Sequence, residues 1–234
     1  MNLPKISHPI FQITIPSTGN AVNFRRFLAL EEKILLMAKE SDDRYDKLLA
    51  IKQVITNCVV DDFDIDSMAT FDFDYVFMKL RANSVDNMVE VRYLEEEDQQ
   101  EYTLKINLND VKLIVPKKFK DVVEIGDIKI KLQYPTIGKM LSSIQLTRDD
   151  DRFDLEDVLK EQCVKQVYDK DNVYDEYSQE ELIKWLGELP LDANKQIKTF
   201  IANVPNLEYK TSYQTKAGTK REVELRGIED FFTL

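Results

Sequence analysis

The sequence predicts an α+β fold in which antiparallel β-hairpins pack with amphipathic helices. Helical and β-rich segments occur in blocks, without the strand–helix–strand alternation that produces a parallel sheet. Turn residues separate pairs of β-rich segments, as Gly126 and Asp127 do between residues 122–125 and 128–132. Of the 234 residues, 43% are hydrophobic, which is enough for the core of one large domain or two small ones.

The first part of the chain is predicted to form a hairpin followed by three helices. Residues 10–15 are rich in β-formers, residues 16–20 carry turn residues, and residues 21–24 can return. Apolar residues then recur at helical spacing in three segments, of which the second begins at about Asp43 and the third near Asp72. In the first helix, the expected core side is Phe27, Leu30, Ile34, Met37 and Ala38, and the expected polar side is Glu31, Glu32, Lys33 and Lys39.

The middle of the chain is predicted to be β-structure. Residues 88–94 and 102–108 flank an acidic turn and are expected to pair as a hairpin. Residues 122–125 and 128–132 form a second pair, and alternation in the latter indicates one buried face. A short helix is then expected to reach about Leu146.

The last part is predicted to be helical and to close with a hairpin. Residues 155–163 have a helical pattern, and residues 168–177 are expected to form a loop. Ser178 and Glu181 have the spacing of a capping box, which begins a helix ended by Pro190. A further helix ends at Pro205, and the closing hairpin pairs residues 207–213 with residues 221–225.

The acidic run at residues 149–151 is the candidate domain boundary. The prediction is an N-terminal α+β region at 1–148 and a C-terminal helical region, closed by a β-hairpin, at 152–234. A single domain is the alternative.

Charge and cysteine content limit the classes of partner. The formal net charge of −11 disfavours a nucleic-acid ligand, because an acidic surface repels phosphates. The basic run of Lys117, Lys118 and Lys120 is interpreted as a solvated loop. Two cysteines cannot form a disulfide framework, and neither a signal peptide nor a membrane span is indicated. We therefore expect no membrane partner and folding in a reducing cytoplasm.

No catalytic, cofactor-binding or metal-binding residue is predicted. His8 is the single histidine, and Cys58 and Cys163 lie on apolar helical faces where buried, inert thiols are common. The acids at residues 62–66 have the alternate spacing of a calcium loop, but Ser67 and Phe73 stand where that loop needs Gly and Glu. A glycoside-hydrolysing pair of carboxylates remains an alternative hypothesis, since acidic residues are numerous and no pair of them stands out.

Aromatic residues near the C-terminus are the candidates for partner binding. Phe231 and Phe232 end the chain's last apolar cluster and could anchor another protein. The alternative, which we favour, is that they cover the closing hairpin of their own chain. Trp185 is interpreted as a core residue on the apolar face of its helix.

Segments along nearly the whole chain resemble one protein family. They are residues 3–6, 27–38, 50–59, 73–85 and 223–232, in this order. Together these segments resemble the baseplate hub assembly proteins of T4-like tailed phages. Some relatives carry Cys pairs at the tips of the middle and final hairpins, where this chain has residues 95–98 and 215–218 without cysteine. The resemblance therefore transfers no metal site.

The resemblance implies a non-enzymatic viral protein that helps to assemble the baseplate hub of a contractile tail. It would act as a scaffold or chaperone through contacts with other tail and hub proteins, the tape-measure protein among the candidates. It would work in the host cytoplasm during assembly, and the virion tail baseplate is the alternative location. Two alternatives remain: a permanent subunit of the mature hub, and a hydrolase using acidic residues, which no motif supports.

Overall fold

The computed structural model describes residues 6–95, 99–116, 120–149 and 155–232. These residues contain eight helices and eleven strands in small antiparallel sheets, so the predicted α+β class is confirmed. The chain divides into two compact units. Unit 1 is the described part of Met1–Ile65, Phe71–Ile114 and Asn206–Leu234, and unit 2 is that of Asp66–Thr70 and Val115–Pro205.

Unit 1 begins with the predicted hairpin and three helices. Hydrogen bonds connect the hairpin to the third helix. The buried carboxylate of Asp72, on that helix, accepts the backbone N–H of Ser17 at 3.0 Å and also the Ser17 hydroxyl. A second predicted hairpin and a short strand follow. The elements are β1 (Ile10–Thr14), β2 (Ala21–Arg25), α1 (Ala29–Lys39), α2 (Arg44–Cys58), α3 (Thr70–Ser84), β3 (Met88–Leu94), β4 (Glu101–Asn107) and β5 (Lys112–Ile114).

Unit 2 packs helices on one four-stranded antiparallel sheet. Its buried core joins Ile130 and Val167 of the sheet to Leu186, Ile197 and Phe200 of two helices. The strand order is the chain order of the four strands. The elements are β6 (Val122–Ile125), β7 (Ile128–Leu132), α4 (Ile137–Asp149), α5 (Leu155–Cys163), β8 (Val164–Tyr168), β9 (Val173–Tyr174), α6 (Gln179–Gly187) and α7 (Leu191–Ala202).

The predicted loop at residues 168–177 is wrong in part, because it includes β9 and the last residue of β8. Asp169 builds the turn between these strands: its carboxylate accepts the backbone N–H groups of Asp171 and Asn172, each at 2.8 Å. Such side-chain bonds stabilise tight turns. The capping box that begins α6 is confirmed, since Ser178 and Glu181 exchange backbone-to-side-chain hydrogen bonds at 2.8 and 3.2 Å.

The chain then returns to unit 1 and completes a three-stranded sheet that includes β5. The predicted closing hairpin is β10 (Asn206–Gln214) with β11 (Lys220–Arg226), and it is followed by an unpredicted short helix, α8 (Gly227–Phe231). β10 also pairs with β5, and both strands belong to unit 1. Residues 150–154, around the predicted boundary, lie outside the described residues, and the division into 1–148 and 152–234 stays a prediction.

Within the described ranges, no helix combines the length and the apolar character that a bilayer span requires.

Candidate partner-binding site

A buried ion pair sets the orientation of α1. Nη1 and Nη2 of Arg25 contact the carboxylate oxygens of Glu31 at 3.1 and 2.9 Å, and the backbone N–H of Leu28 donates to the same carboxylate at 2.8 Å. Glu31 is only 1% exposed. Its burial favours a raised pKa, but the hydrogen bonds from Arg25 and Leu28 outweigh burial and lower the pKa of Glu31. The carboxylate is therefore ionised at neutral pH and holds this side of α1 toward the core.

The opposite side of α1 presents large apolar side chains to solvent. Leu30, Leu36 and Met37 are 63%, 60% and 64% exposed. The sequence-based assignment of Leu30 and Met37 to the core side, and of Glu31 to the polar side, is wrong. Because Arg25 and the Leu28 N–H hold Glu31 on the buried side, Leu30 and Met37 face outward, whereas Ala38 of the predicted core side is buried.

Leu36 also lines a groove of about 330 Å³ in unit 1, which we call the unit 1 groove. Its apolar lining comes from the neighbourhood of α1, α3, β3 and α8. Val85 and Met88 are exposed members of that lining. Charged side chains of both signs stand among the lining residues, namely Glu32, Lys39, Arg81 and Glu90.

Phe231 and Phe232 occupy different environments beside this groove. Phe231 is 2% exposed and belongs to the core formed by residues such as Met78 and Ile106. Phe232 is partly buried, and its ring meets that of Phe77 edge-on at 5.4 Å between centroids. Both rings therefore pack against other residues of their own chain, as the favoured interpretation expected. Both line the unit 1 groove, and partner binding through them stays a prediction.

Asp74 of α3 connects α8 to the rest of unit 1. The backbone N–H of Ile228 donates to its carboxylate. Gly227 begins α8 with a φ of +65°, a conformation that glycine adopts without the steric cost of a Cβ. Burial raises the pKa of Asp74 to about 7, and nearby Glu229 adds to the rise, while the N–H of Ile228 and the charge of Arg44 oppose it.

The tips of the middle and final hairpins meet in unit 1. The backbone N–H of Lys216 donates to the Tyr102 hydroxyl at 2.9 Å, and the Tyr102 and Tyr213 rings lie 4.6 Å apart. The Tyr213 hydroxyl donates to buried Glu95, which also lies 3.5 Å from Nε of Arg221. In this chain, hydrogen bonds and aromatic packing join the two hairpin tips, at which some relatives carry pairs of cysteines. Residues 96–98 lie outside the described residues.

Neither cysteine is chemically activated. Cys58 and Cys163 are buried, and burial raises the pKa of each thiol to about 12. Both stay protonated near neutral pH, whereas a nucleophilic cysteine needs the thiolate. In the described residues, no cluster of three or more His, Cys, Asp and Glu side chains could hold a metal ion. Asp66, the last acid of the run at 62–66, contacts the start of α4 within unit 2, since its backbone carbonyl accepts the N–H of Gly138 at 3.0 Å.

Together, the fold and these surfaces define a mixed α+β protein that presents apolar side chains where another protein could dock. The family model described as T4 bacteriophage base plate protein matches residues 8–233. The chain belongs to this family, which confirms its resemblance to T4-like phage baseplate proteins. Proteins of this family are typically structural, and membership supports a structural role in building the tail baseplate through contacts with other tail proteins. No curated protein and no solved structure matches the chain.

Sequence reasoning found only part of this candidate site. It named Phe231 and Phe232 from their position in the chain. It missed the exposed face of α1 and the groove, because both depend on the pairing of Arg25 with Glu31 and on where α8 docks. The signal available in the sequence was an arginine six residues before a glutamate at the start of a helix.

Proposed function

We propose that this protein acts without catalysis in the assembly of the baseplate hub, as a scaffold or chaperone for another tail protein. It would bind an apolar segment of that protein in the unit 1 groove, in the host cytoplasm, while the tail is built. The tape-measure protein is one candidate. The observation that carries the proposal is the exposed apolar lining of the groove in a chain of the baseplate family.

The surface chemistry supports reversible masking of apolar segments. Leu36, Val85 and Met88 offer exposed apolar contacts at the groove, and such clusters mark interaction sites on proteins. The charged lining residues supply both signs, which can fix the orientation of a partner. The net charge of −11 would keep a complex soluble while its apolar surfaces are covered.

The composition of mature virions separates the assembly role from the alternative. Mass spectrometry of purified particles of a phage that encodes this chain should find it absent or far below the amount of known baseplate subunits. A stoichiometric signal would contradict the assembly role. The chain would then be a permanent subunit of the hub, the alternative supported by the family's description as a baseplate protein.

Genetic complementation tests the groove itself. A phage that lacks this gene should form infectious particles when the natural chain is supplied in trans, and far fewer with the double variant Leu36→Asp, Val85→Asp. Both residues are exposed, so the variant should fold. The matched control is Leu191→Asp, because Leu191 is 87% exposed at the start of α7 in unit 2. Equal yields from the groove variant and the natural chain would contradict the proposal.

A further inference from the structure

Unit 2 contains a pocket of about 470 Å³ where its sheet meets α6. Ile128, Val167 and Tyr174, on β7, β8 and β9, form one wall. The strand register places these three side chains on the same face of the sheet. Leu182 and Trp185, one helical turn apart on α6, form the opposite wall. The pocket therefore continues the apolar core of unit 2 toward the edge of the sheet.

The mouth of the pocket is aromatic and acidic. Tyr177 and Glu176 come from the segment between β9 and α6, and Glu181 comes from the first turn of α6. The Glu181 carboxylate accepts the backbone N–H of Ser178 at 2.8 Å, and this bond lowers the pKa of Glu181. The Tyr174 hydroxyl donates to Asp169 at 2.5 Å, which fixes the ring at the pocket wall.

The pocket is suited to a positively charged side chain with an apolar stem. Its lining contains three aromatic rings and two carboxylates, and none of the lining residues carries a positive charge. Aromatic faces attract cations, and Lys and Arg place an aliphatic stem on apolar surface while the charge stays at the rim. In residues 169–181 the one basic residue, Lys170, pairs with Asp127 at 2.9 Å. That segment's acids are Asp169, Asp171, Asp175, Glu176, Glu180 and Glu181.

β9 is the outermost strand of the sheet beside this pocket. The strand order is β6, β7, β8, β9, and β9 pairs only with β8 among the described strands. Val173 and Tyr174 of β9 are both exposed. An edge strand offers backbone N–H and C=O groups to which an extended segment can add.

We propose that this pocket binds a lysine or arginine side chain carried by an extended segment of a partner protein that lies along β9. The partner segment would alternate apolar and basic residues, so that its backbone pairs with the sheet edge while a basic side chain enters the aromatic pocket. This binding site is separate from the one proposed for the assembly role, because the pocket is lined by residues of unit 2 and the unit 1 groove is lined by none of them.

Trp185 provides a direct test, because it is the only tryptophan in the chain. The purified full-length protein is titrated with the blocked peptide Ac-VKVKV-NH2, with Ac-VEVEV-NH2 as the matched control, and tryptophan emission is recorded. We expect a saturable change with the lysine peptide that weakens as salt is added, and no change with the glutamate peptide. Equal responses to the two peptides, or no saturable response to the lysine peptide at millimolar concentration, would overturn the proposal.

Variants assign the response to the pocket. Glu176→Gln and Tyr177→Ser remove a carboxylate and a ring from exposed positions, and each should weaken binding of the lysine peptide about threefold or more. Glu188→Gln, at the exposed end of α6 and outside the pocket, should bind like the natural chain. Unchanged affinity in the two pocket variants would contradict the proposal. A response to tetramethylammonium chloride as strong as that to the lysine peptide would also contradict it, in favour of a small organic cation.

Discussion

Glu31 shows how one residue can reverse the expected orientation of a helix. Helical spacing places Leu30 and Met37 on an apolar stripe, and such a stripe normally faces the core. The buried pair with Arg25 competes with that tendency, because an ionised carboxylate inside a protein needs its charge and hydrogen-bond partners. Asn57 adds a further donor at 3.3 Å. The pairing, rather than apolar periodicity, decides which side of α1 meets solvent.

Replacing Glu31 should cost far more stability than replacing its exposed neighbour. Glu31→Ala leaves Arg25 without its main partner in a largely buried position, so we expect a loss of about 2–4 kcal/mol in the free energy of unfolding. Glu32→Ala, on the exposed side of the same turn, should change it by less than about 0.5 kcal/mol. Urea denaturation measures both values. Similar losses in the two variants would show that the pair does not position α1.

Asp74 should make the stability of unit 1 depend on pH. Its pKa of about 7 lies above the ordinary value of 3.8, so the folded state binds the proton more tightly than the unfolded state. The stability contributed by this proton is fully present below pH 3.8 and is lost as pH rises through about 7. Each pKa unit corresponds to about 1.4 kcal/mol, so the total loss is on the order of a few kcal/mol.

The variant Asp74→Asn keeps an oxygen for the Ile228 N–H but cannot ionise. Relative to the natural chain, it should therefore gain stability progressively between about pH 4 and pH 7, and the gain should level off above pH 8. Denaturation curves over this pH range measure the difference. Asp110→Asn, at an exposed turn, is the matched control. A difference between Asp74→Asn and the natural chain that stays constant with pH would refute the assignment.

At the scale of elements, the parts of the fold with strong local signals were predictable. The β6–β7 hairpin follows from alternation around Gly126, whose φ of +59° suits glycine, and α6 follows from its capping box. β9 was not predictable, because a two-residue strand depends on pairing with β8. α8 was not predictable for a similar reason. Its position depends on the hydrogen bond from the Ile228 N–H to Asp74, which lies far away in the sequence. The groove beside α8 is a product of those long-range contacts.

The two phenylalanines at the end of α8 should contribute unequally to stability. Phe231 fills the core of unit 1, so Phe231→Ala should cost about 3–5 kcal/mol, as truncation of a buried aromatic residue usually does. Phe232→Ala loses one edge-on contact with Phe77 and should cost distinctly less. Thermal unfolding of the two single variants measures the difference. Equal costs would mean that the deeper burial of Phe231 does not make it the more stabilising of the two rings.

At the scale of the whole molecule, two units are built from an interleaved chain. Unit 1 contains both the first hairpin and the closing one, while unit 2 contains Asp66–Thr70 and the stretch Val115–Pro205 between the two hairpins. Strand pairing between β5 and β10 joins segments that lie far apart in the chain into one unit. The surface of this chain combines high negative charge with apolar side chains on α1 and at the unit 1 groove. That combination suits a protein that binds apolar segments and keeps them in solution.

The most direct test of the central claim is site-specific photo-crosslinking during infection. A photoreactive phenylalanine analogue replaces Leu36 at the groove, or Leu191 as the exposed control, and crosslinked products are identified by mass spectrometry. The proposed function predicts that position 36 crosslinks to a phage tail protein while the tail is being assembled, and that position 191 does not. Absence of any tail-protein crosslink at position 36, in a chain that still supports assembly, would contradict the claim that the unit 1 groove binds the partner.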